Sequence, residues 1–198
     1  PWYDTDETIS NNLEHNPTQS KTYYQLKLDY LRRFGAHDVS GLILFNRSTR
    51  TYDNRVDYRY QGISGRITYG YENKYLAEFN IGYNGSENFA PGKRYGTFPA
   101  ASVGWVISRE SFMEKANSWL DMLKIRSSFG LVGSDKISDS DDDRFAYLQF
   151  YRGGNGYNFG VNEFGSRYDG LHEGNFANPD LTWEKAQKLN IGLDASLF

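Results

Sequence analysis

Cysteine is absent from all 198 residues, so neither a disulfide framework nor a thiolate metal site holds this chain together. Long apolar runs are missing too. No stretch approaches the ~18 apolar residues of a helical membrane span, and the mean hydropathy is −0.71. Basic residues are not in excess: 22 Lys and Arg against 25 Asp and Glu give a formal net charge of −3. That balance argues against a nucleic-acid partner, which calls for a basic stripe. The 3 histidines, His15, His37 and His172, are scattered, with no HxH or HExxH spacing to hold a metal. There is no GxSxG elbow, and the run GGNGYNFG lacks the Lys-Ser/Thr of a phosphate loop. No carboxylate pair stands out as glycosidase machinery. The expectation is a chain that is not an enzyme and uses no cofactor.

What is present is aromatic. Tyr (16), Phe (13) and Trp (4) make up 17 % of the chain, and rings with an apolar body and a polar tip suit a membrane–water boundary. The last strand shows where such a boundary would lie. From Trp183 the odd positions run Trp183, Lys185, Gln187, Leu189, Ile191, Leu193, Ala195, Leu197. The even ones run Glu184, Ala186, Lys188, Asn190, Gly192, Asp194, Ser196. One side is greasy and the other wet, the period-2 signature of a strand. A barrel strand needs about 9–11 residues to cross a bilayer, and this one suffices.

The same alternation recurs upstream. Thr22, Tyr24, Leu26, Leu28 and Tyr30 oppose Tyr23, Gln25, Lys27 and Asp29. Residues 38–48 make a second strand, of ambiguous facing because Leu42, Ile43, Leu44 and Phe45 are consecutive. Ile63, Gly65, Ile67, Tyr69 and Tyr71, then Tyr75, Ala77, Phe79, Ile81 and Tyr83, form a hairpin around a turn at 72–74. Residues 97–107 carry Val103, Trp105 and Ile107 on one face, and residues 123–132 carry Leu123, Ile125, Phe129 and Leu131. Between these two strands, Phe112, Met113, Ala116, Trp119 and Leu120 have helical spacing and predict a short helix over 109–121. Residues 48–61 read as a longer loop with strand extensions, 84–96 as a loop, and 133–180 as the longest irregular region. Short and long connections at opposite ends suit a transmembrane barrel, with the long ones outside the cell.

Three motifs carry a family likeness. They are YGTFPAASVGWVISRESFMEKANSWLDMLKIRSSFGLVGS at 95–134, NPDLTWEKAQKLNIGLDASLF at 178–198 and GRITYGYENKYLAEFNIGYNGSENFAPGKRYG at 65–96. Together they resemble the SusC/RagA family of TonB-linked outer-membrane transporters, also called TonB-dependent receptors. The resemblance implies an all-β fold, an antiparallel transmembrane β-barrel segment with one short helical periplasmic link. About seven strands are legible, a third of a 22-stranded barrel of that kind. No plug and no TonB-contact segment are visible, and Pro1 carries no signal peptide. Residues 1–198 are therefore expected to be a partial TonB-dependent receptor β-barrel domain cut from a longer precursor, with 133–180 as a long extracellular loop. The implied function is to form barrel wall and extracellular loops of a nutrient transporter in the outer membrane of Bacteroidota. Its implied partners are a surface-exposed SusD-like lipoprotein, TonB acting through the missing plug, outer-membrane lipid, and an oligosaccharide (glycan) or oligopeptide substrate. A soluble β-rich glycan-binding or adhesin module is the alternative, and it would hide the apolar rows in a core.

Candidate substrate contacts are the loop aromatics Tyr52, Tyr147, Phe150, Tyr151, Tyr157 and Phe159, able to stack on sugars or peptide side chains. Packing of the loops on one another is the competing reading. Lys27, Asp29, Arg66, Glu72, Glu78, Lys124, Arg126, Glu184, Lys188 and Asp194 are expected in the lumen, paired with each other or with a plug. Trp105, Trp119 and Trp183 are expected at the membrane interface. The acidic run DKISDSDDD at 135–143 offers oxygens that Ca²⁺ accepts, but it lacks the Gly and distal Glu of an EF-hand loop. A solvated acidic loop accounts for it equally.

Overall fold

A computed structural model describes residues 18–53, 55–116, 118–137, 144–159 and 166–197. The six large strands of the first two-thirds are β1 (Gln19–Phe34), β2 (His37–Tyr52), β3 (Arg55–Tyr71), β4 (Tyr75–Ser86), β5 (Tyr95–Val106) and β6 (Leu120–Ser134). A hairpin of β7 (Tyr151–Phe159) and β8 (Ser166–Glu173) follows, and then β9 (Glu184–Leu197). Seven strands form one antiparallel sheet in the order β1-β2-β3-β4-β5-β6-β9, while β7 and β8 pair separately. The all-β reading holds, and every strand predicted from alternation is present.

The sheet is apolar on its outside. Leu28 pairs with Ile43, Ile43 with Gly65 and Gly65 with Ile81, so directly opposed residues share one face. Side chains on that face stand clear of the protein: Leu28 is 64 % exposed, Phe79 46 % and Ile191 76 %. The polar face is the half-buried one. It bends around a cavity of about 640 Å³ whose lining reaches from Leu31 on β1 to Gly192 on β9. A soluble module would invert this arrangement. The ambiguous run on β2 is resolved the same way: Ile43 and Phe45 face out, and Leu42 and Leu44 face in.

Register expresses strand tilt. The row starting at Ile191, in the middle of the apolar stripe of β9, passes through Ser127, Val103, Ala77, Tyr69 and Val39. It ends at Arg32, next to the β1–β2 turn. The apolar belt thus crosses hydrogen-bonded rows obliquely, as strands tilted in a barrel wall require. Tyrosines edge the belt. At the turn end Tyr71 stacks on Tyr75 at 6.3 Å and meets the His37 ring at a tilt at 4.9 Å, and the His37 ring contacts the Tyr69 hydroxyl at 2.8 Å. At the loop end Tyr83 stacks on Tyr95 at 5.0 Å.

Three expectations about connections need correction. Residues 48–61 are not a long loop, because β2 runs to Tyr52 and β3 starts at Arg55. Charge and Tyr there belong to strand extensions beyond the belt, where both faces are wet. Glu72 is not in the lumen but in the β3–β4 turn, with φ 51° beside Asn73 at 53°. The helix over 109–121 is instead two 3₁₀ turns, Ile107–Arg109 and Ser111–Ala116, and β6 begins at Leu120. Backbone bonds from Glu110 N to Ile107 O at 3.0 Å and from Met113 N to Glu110 O at 2.9 Å shape this link, and side-chain contacts anchor it. Glu110 Oε1 accepts from the Tyr75 hydroxyl at 2.7 Å and from Trp105 Nε1 at 3.0 Å. Its other oxygen lies 3.9 Å from Lys74 Nζ, and Arg109 Nη1 donates to the Asn73 carbonyl at 3.1 Å. Trp105 therefore stands on the outer face at the turn end, paired with Tyr75, and Trp119 is exposed in the turn before β6.

Candidate functional site

The loop end of the sheet holds two of the four buried apolar side chains among the described residues, the other two being Val106 and Leu120 around the link at the opposite end. Phe89, from the β4–β5 loop, is 2 % exposed, and Trp183, just before β9, is 6 % exposed. Their ring centroids are 5.6 Å apart, and Phe98 of β5 meets Trp183 edge-on at 5.2 Å. This overturns the interfacial placing of Trp183. Strand β9 starts at Glu184, so the alternation that puts Leu189 outside does not extend back to Trp183. Its indole Nε1 donates to the Arg94 carbonyl at 3.0 Å, so burial leaves no polar atom of the ring unpaired. A Cβ on Gly133 would lie 2.0 Å from the Phe98 ring; only glycine there lets that ring lie flat on β6. Around this core, Lys93 pairs with Asp180, whose carboxyl is held below its ordinary range by the Lys93 hydrogen bond and charge. Asn178, at the head of the Asn-Pro-Asp-Leu-Thr-Trp element, accepts at its carbonyl from Leu181 N at 3.2 Å and closes a turn.

A second lock ties the long connection to the extended tip of β3. Arg144 Nη1 and Nη2 donate to the carbonyls of Val56 and Asp57 at 2.8 and 2.9 Å. Its guanidinium lies 3.4 Å above the Tyr58 ring and 4.6 Å from that of Phe145. A planar fork that donates and stacks at once is a role Lys does not reproduce. Nearby, burial and the Asp135 carboxylate raise the Tyr60 phenol above its ordinary pKa.

Beyond this lock the segment around residue 150 runs beside residues 173–178. Gly174 N donates to Phe150 O and Asn178 N to Ala146 O, both at 2.8 Å. Gln149 clamps the pair, donating to Asn175 O and accepting from Ala177 N. The result is a groove of about 360 Å³ walled by Leu148, Phe150, Tyr151, Arg152 and Phe176, with Arg144 at its base. Flat rings beside cationic forks can stack on a planar or ring-shaped solute and hydrogen-bond its oxygens.

The sequence-predicted aromatics do not gather in one place. Tyr151 and Phe150 line the groove. Tyr147 is half-buried in the adjoining turn against Phe145, at 6.1 Å. Tyr52 sits at the β2 tip, its ring edge-on to Tyr58 at 5.6 Å. Tyr157 is exposed along β7. Phe159 ends β7, and its side chain lies outside the described residues. Arg144, Arg152 and Phe176 were not anticipated. The text Phe145–Arg152, aromatic and flanked by arginines, was the available signal. Most of the acidic run, residues 138–143, also lies outside the described residues.

On the polar face, six of the ten charges expected in the lumen pair with one another. Arg66 donates to Asn80 at 2.7 Å and faces Glu78 at 3.8 Å. Arg126 bonds Asp194 at 3.2 Å, and Lys27 meets Asp29 at 3.0 Å. Such wet pairs contribute little stability, about 0–1 kcal/mol each; what they set is the polarity of the surface.

No family model matches the chain. Among curated proteins it is 33 % identical over 173 residues to TonB-dependent receptor P39 of Formosa agariphila, covering 81 % of this chain and 15 % of that protein. It is 37 % identical over 130 residues to TonB-dependent receptor SusC of Bacteroides thetaiotaomicron, covering 66 % of this chain and 12 % of SusC. The chain thus spans about an eighth to a sixth of the length of these relatives. Among solved structures, that of the RagAB peptide transporter superposes with a TM-score of 0.74 at 18 % identity, over 92 % of this chain and 22 % of that one. The 'open-open' state of the RagAB peptide importer gives 0.69 over the same shares.

Proposed function

The chain belongs to the SusC/RagA-like TonB-dependent receptors, and from that premise we propose that it forms barrel wall and extracellular mouth in an outer-membrane importer of oligosaccharides or oligopeptides. One observation carries the reading: the sheet is oily where it faces away from the protein and polar where it bends inward. Hydrocarbon solvates the first face, and a wet lumen occupies the second. No covalent chemistry is called for. The short turns at Gly35 and Glu72 then face the periplasm, and the Phe89–Trp183 core and the β7–β8 hairpin face outside.

Within this reading the groove around Phe150, Tyr151 and Arg152 is a substrate contact, with Tyr52, Tyr147, Tyr157 and Phe159 as further contacts around the mouth. A SusD-like lipoprotein closes over that mouth, and TonB supplies energy through a plug lying elsewhere in the whole receptor. The test uses the full-length receptor with its lipoprotein. Fluorescent oligosaccharide and oligopeptide mixtures are offered to cells carrying wild type or Tyr151→Ala with Arg152→Ala. Uptake of one mixture, lost with the receptor gene and reduced about tenfold by the double variant, is expected from removing stacking and a charged hydrogen bond. Uptake unchanged by deleting the gene overturns the importer reading. Brominated lipids that fail to quench a Trp placed at Leu193 overturn the wall.

A further inference from the structure

The lipid-facing surface is not uniformly filled. Across β1 to β4 it carries a trough of about 430 Å³, almost wholly apolar in its walls. Leu28 and Tyr30 bound it on β1, and Phe79 and Ile81 on β4. Gly41 and Gly65 make its floor. A Cβ on Gly41 would meet nothing closer than 4.0 Å, so the space above it is open. Adjacent strands lie ~4.8 Å apart, so four of them give a trough about 14 Å across.

The trough has a direction. Its two rows are Phe79–Ile67–Gly41–Tyr30 and Ile81–Gly65–Ile43–Leu28. Because hydrogen-bonded rows slope with strand tilt, they leave β4 in mid-belt and reach β1 nearer the turn end. The next outward row in that direction is Ala77–Tyr69–Val39–Arg32. Arg32 is therefore a cation on the oily face, one outward position beyond Tyr30. Its guanidinium rests 4.8 Å from the Phe34 ring, and it forms no ion pair with any described residue. The neighbouring acid, Asp38, points to the other face and pairs with Arg33 at 3.3 Å. The adjoining rings, Tyr30, Tyr69 and His37, hold the level of the membrane boundary.

A long apolar slot leading to an unpaired guanidinium at headgroup depth matches one solute shape: an acyl chain joined to a phosphate. We propose that this trough seats one chain of a phosphate-bearing glycerolipid of the periplasmic leaflet, with its phosphate on Arg32. The site rests on the membrane-wall reading and adds to it a fixed lipid at a defined place. Arg gives a phosphate two parallel donors, and the open space over Gly41 gives the chain depth that Leu or Ile would occupy, whereas over Gly65 the Ile81 side chain already comes within 3.3 Å of where a Cβ would stand.

The full-length receptor, purified in detergent, is titrated with 1-palmitoyl-2-oleoyl-phosphatidylethanolamine and read by native mass spectrometry. A diacylglycerol of the same chains serves as the phosphate-free arm. One retained phospholipid per receptor is expected, weakened about tenfold by Arg32→Gln, the worth of one hydrogen bond to a charged group. Diacylglycerol should bind the wild type no better than phospholipid binds that variant. Gly41→Leu with Gly65→Leu, filling the trough, should abolish retention of both lipids. Equal phospholipid retention in wild type and Arg32→Gln overturns the site, as does a receptor dimer that excludes lipid from this face. Heat-modifiable migration of each protein from the outer-membrane fraction separates the two levels. If the wild type itself is not a membrane barrel, the wall reading has failed and the lipid site with it. If the barrel is intact and lipid binding is indifferent to Arg32, only the lipid site has failed.

Discussion

In the wall, Leu28, Ile43, Phe79 and Ile191 point away from the protein, whereas at the mouth Phe89, Phe98 and Trp183 point into it. The same residue chemistry is sorted in opposite directions a few strand positions apart. Solvent makes the difference. Along the belt the ladder pairs backbone groups between neighbouring strands from β1 to β9, and in the proposed wall hydrocarbon would accept the apolar side chains. Above it water surrounds both faces, so rings must cover one another. Strands alone cannot do that, and the cover comes from a loop (Phe89) and from a connection entering β9 (Trp183). The two regions should therefore fail independently, by different substitutions.

The largest effect is expected from Trp183→Ala. Truncating a ring buried between Phe89 and Phe98 costs about 3–5 kcal/mol and should open the mouth alone. In the full-length receptor, residues 144–180 should become sensitive to added protease while barrel migration stays heat-modifiable. Simultaneous loss of both would show that mouth and wall form one cooperative unit, which breaks the comparison.

Ile191→Arg probes the other side. A cation on the lipid face costs about 2–4 kcal/mol near the bilayer midplane, whereas Ile191→Leu should be neutral. Reduced membrane assembly, with protease protection of the mouth unchanged in molecules that do assemble, is the expected outcome. If Arg is tolerated as well as Leu, the outer face is not in hydrocarbon.

A smaller change sharpens the boundary between the regions. Gly133 lies on β6, yet its space is filled by Phe98 of the mouth core. Gly133→Val should cost about 1–3 kcal/mol through overpacking. Adding Phe98→Ala should remove most of that penalty, since touching sites are non-additive. Additive costs would place the ring elsewhere.

Legibility in the sequence followed the same division. Alternation revealed every wall strand, and on β4 and β9 the inward and outward sets as well, because a two-solvent sheet writes its facing residue by residue. It misled at strand ends. Residues 48–61 read as a loop with strand extensions where the strands in fact run to Tyr52 and from Arg55, since extensions in water lack the oily face, and Trp183 was assigned the parity of β9 one residue before that strand begins. Helical spacing in 109–121 came from a link that packs on Tyr75 and Trp105 with two 3₁₀ turns. At the mouth, Trp183 finds Arg94 across 89 residues of chain and Arg144 finds Val56 across 88. No local pattern encodes such pairings. The groove was accordingly half seen: Phe150 and Tyr151 stood out, while Phe176 and the arginines did not.

The least energetic test lies at the opposite rim, where wall and link meet. The Tyr75 hydroxyl and the Trp105 indole both donate to Glu110, and together with Lys74 they hold its carboxyl below the ordinary carboxylate range. A carboxylate of unfolded pKa about 4.3 that is depressed on folding contributes its full stabilisation above that value. The contribution is lost as pH falls through the lower, folded value. In receptor labelled with ¹⁵N-tryptophan, the Trp105 indole signal should hold its position through neutral pH and move only below the ordinary carboxylate range. Glu110→Gln should flatten that titration while keeping an oxygen acceptor. A Trp105 signal that titrates above pH 5, or identically in Glu110→Gln, would mean the indole answers to bulk interface and not to the link. The rim would then behave as the wall does, and the contrast would stand between the wall and the Phe89–Trp183 core of the mouth.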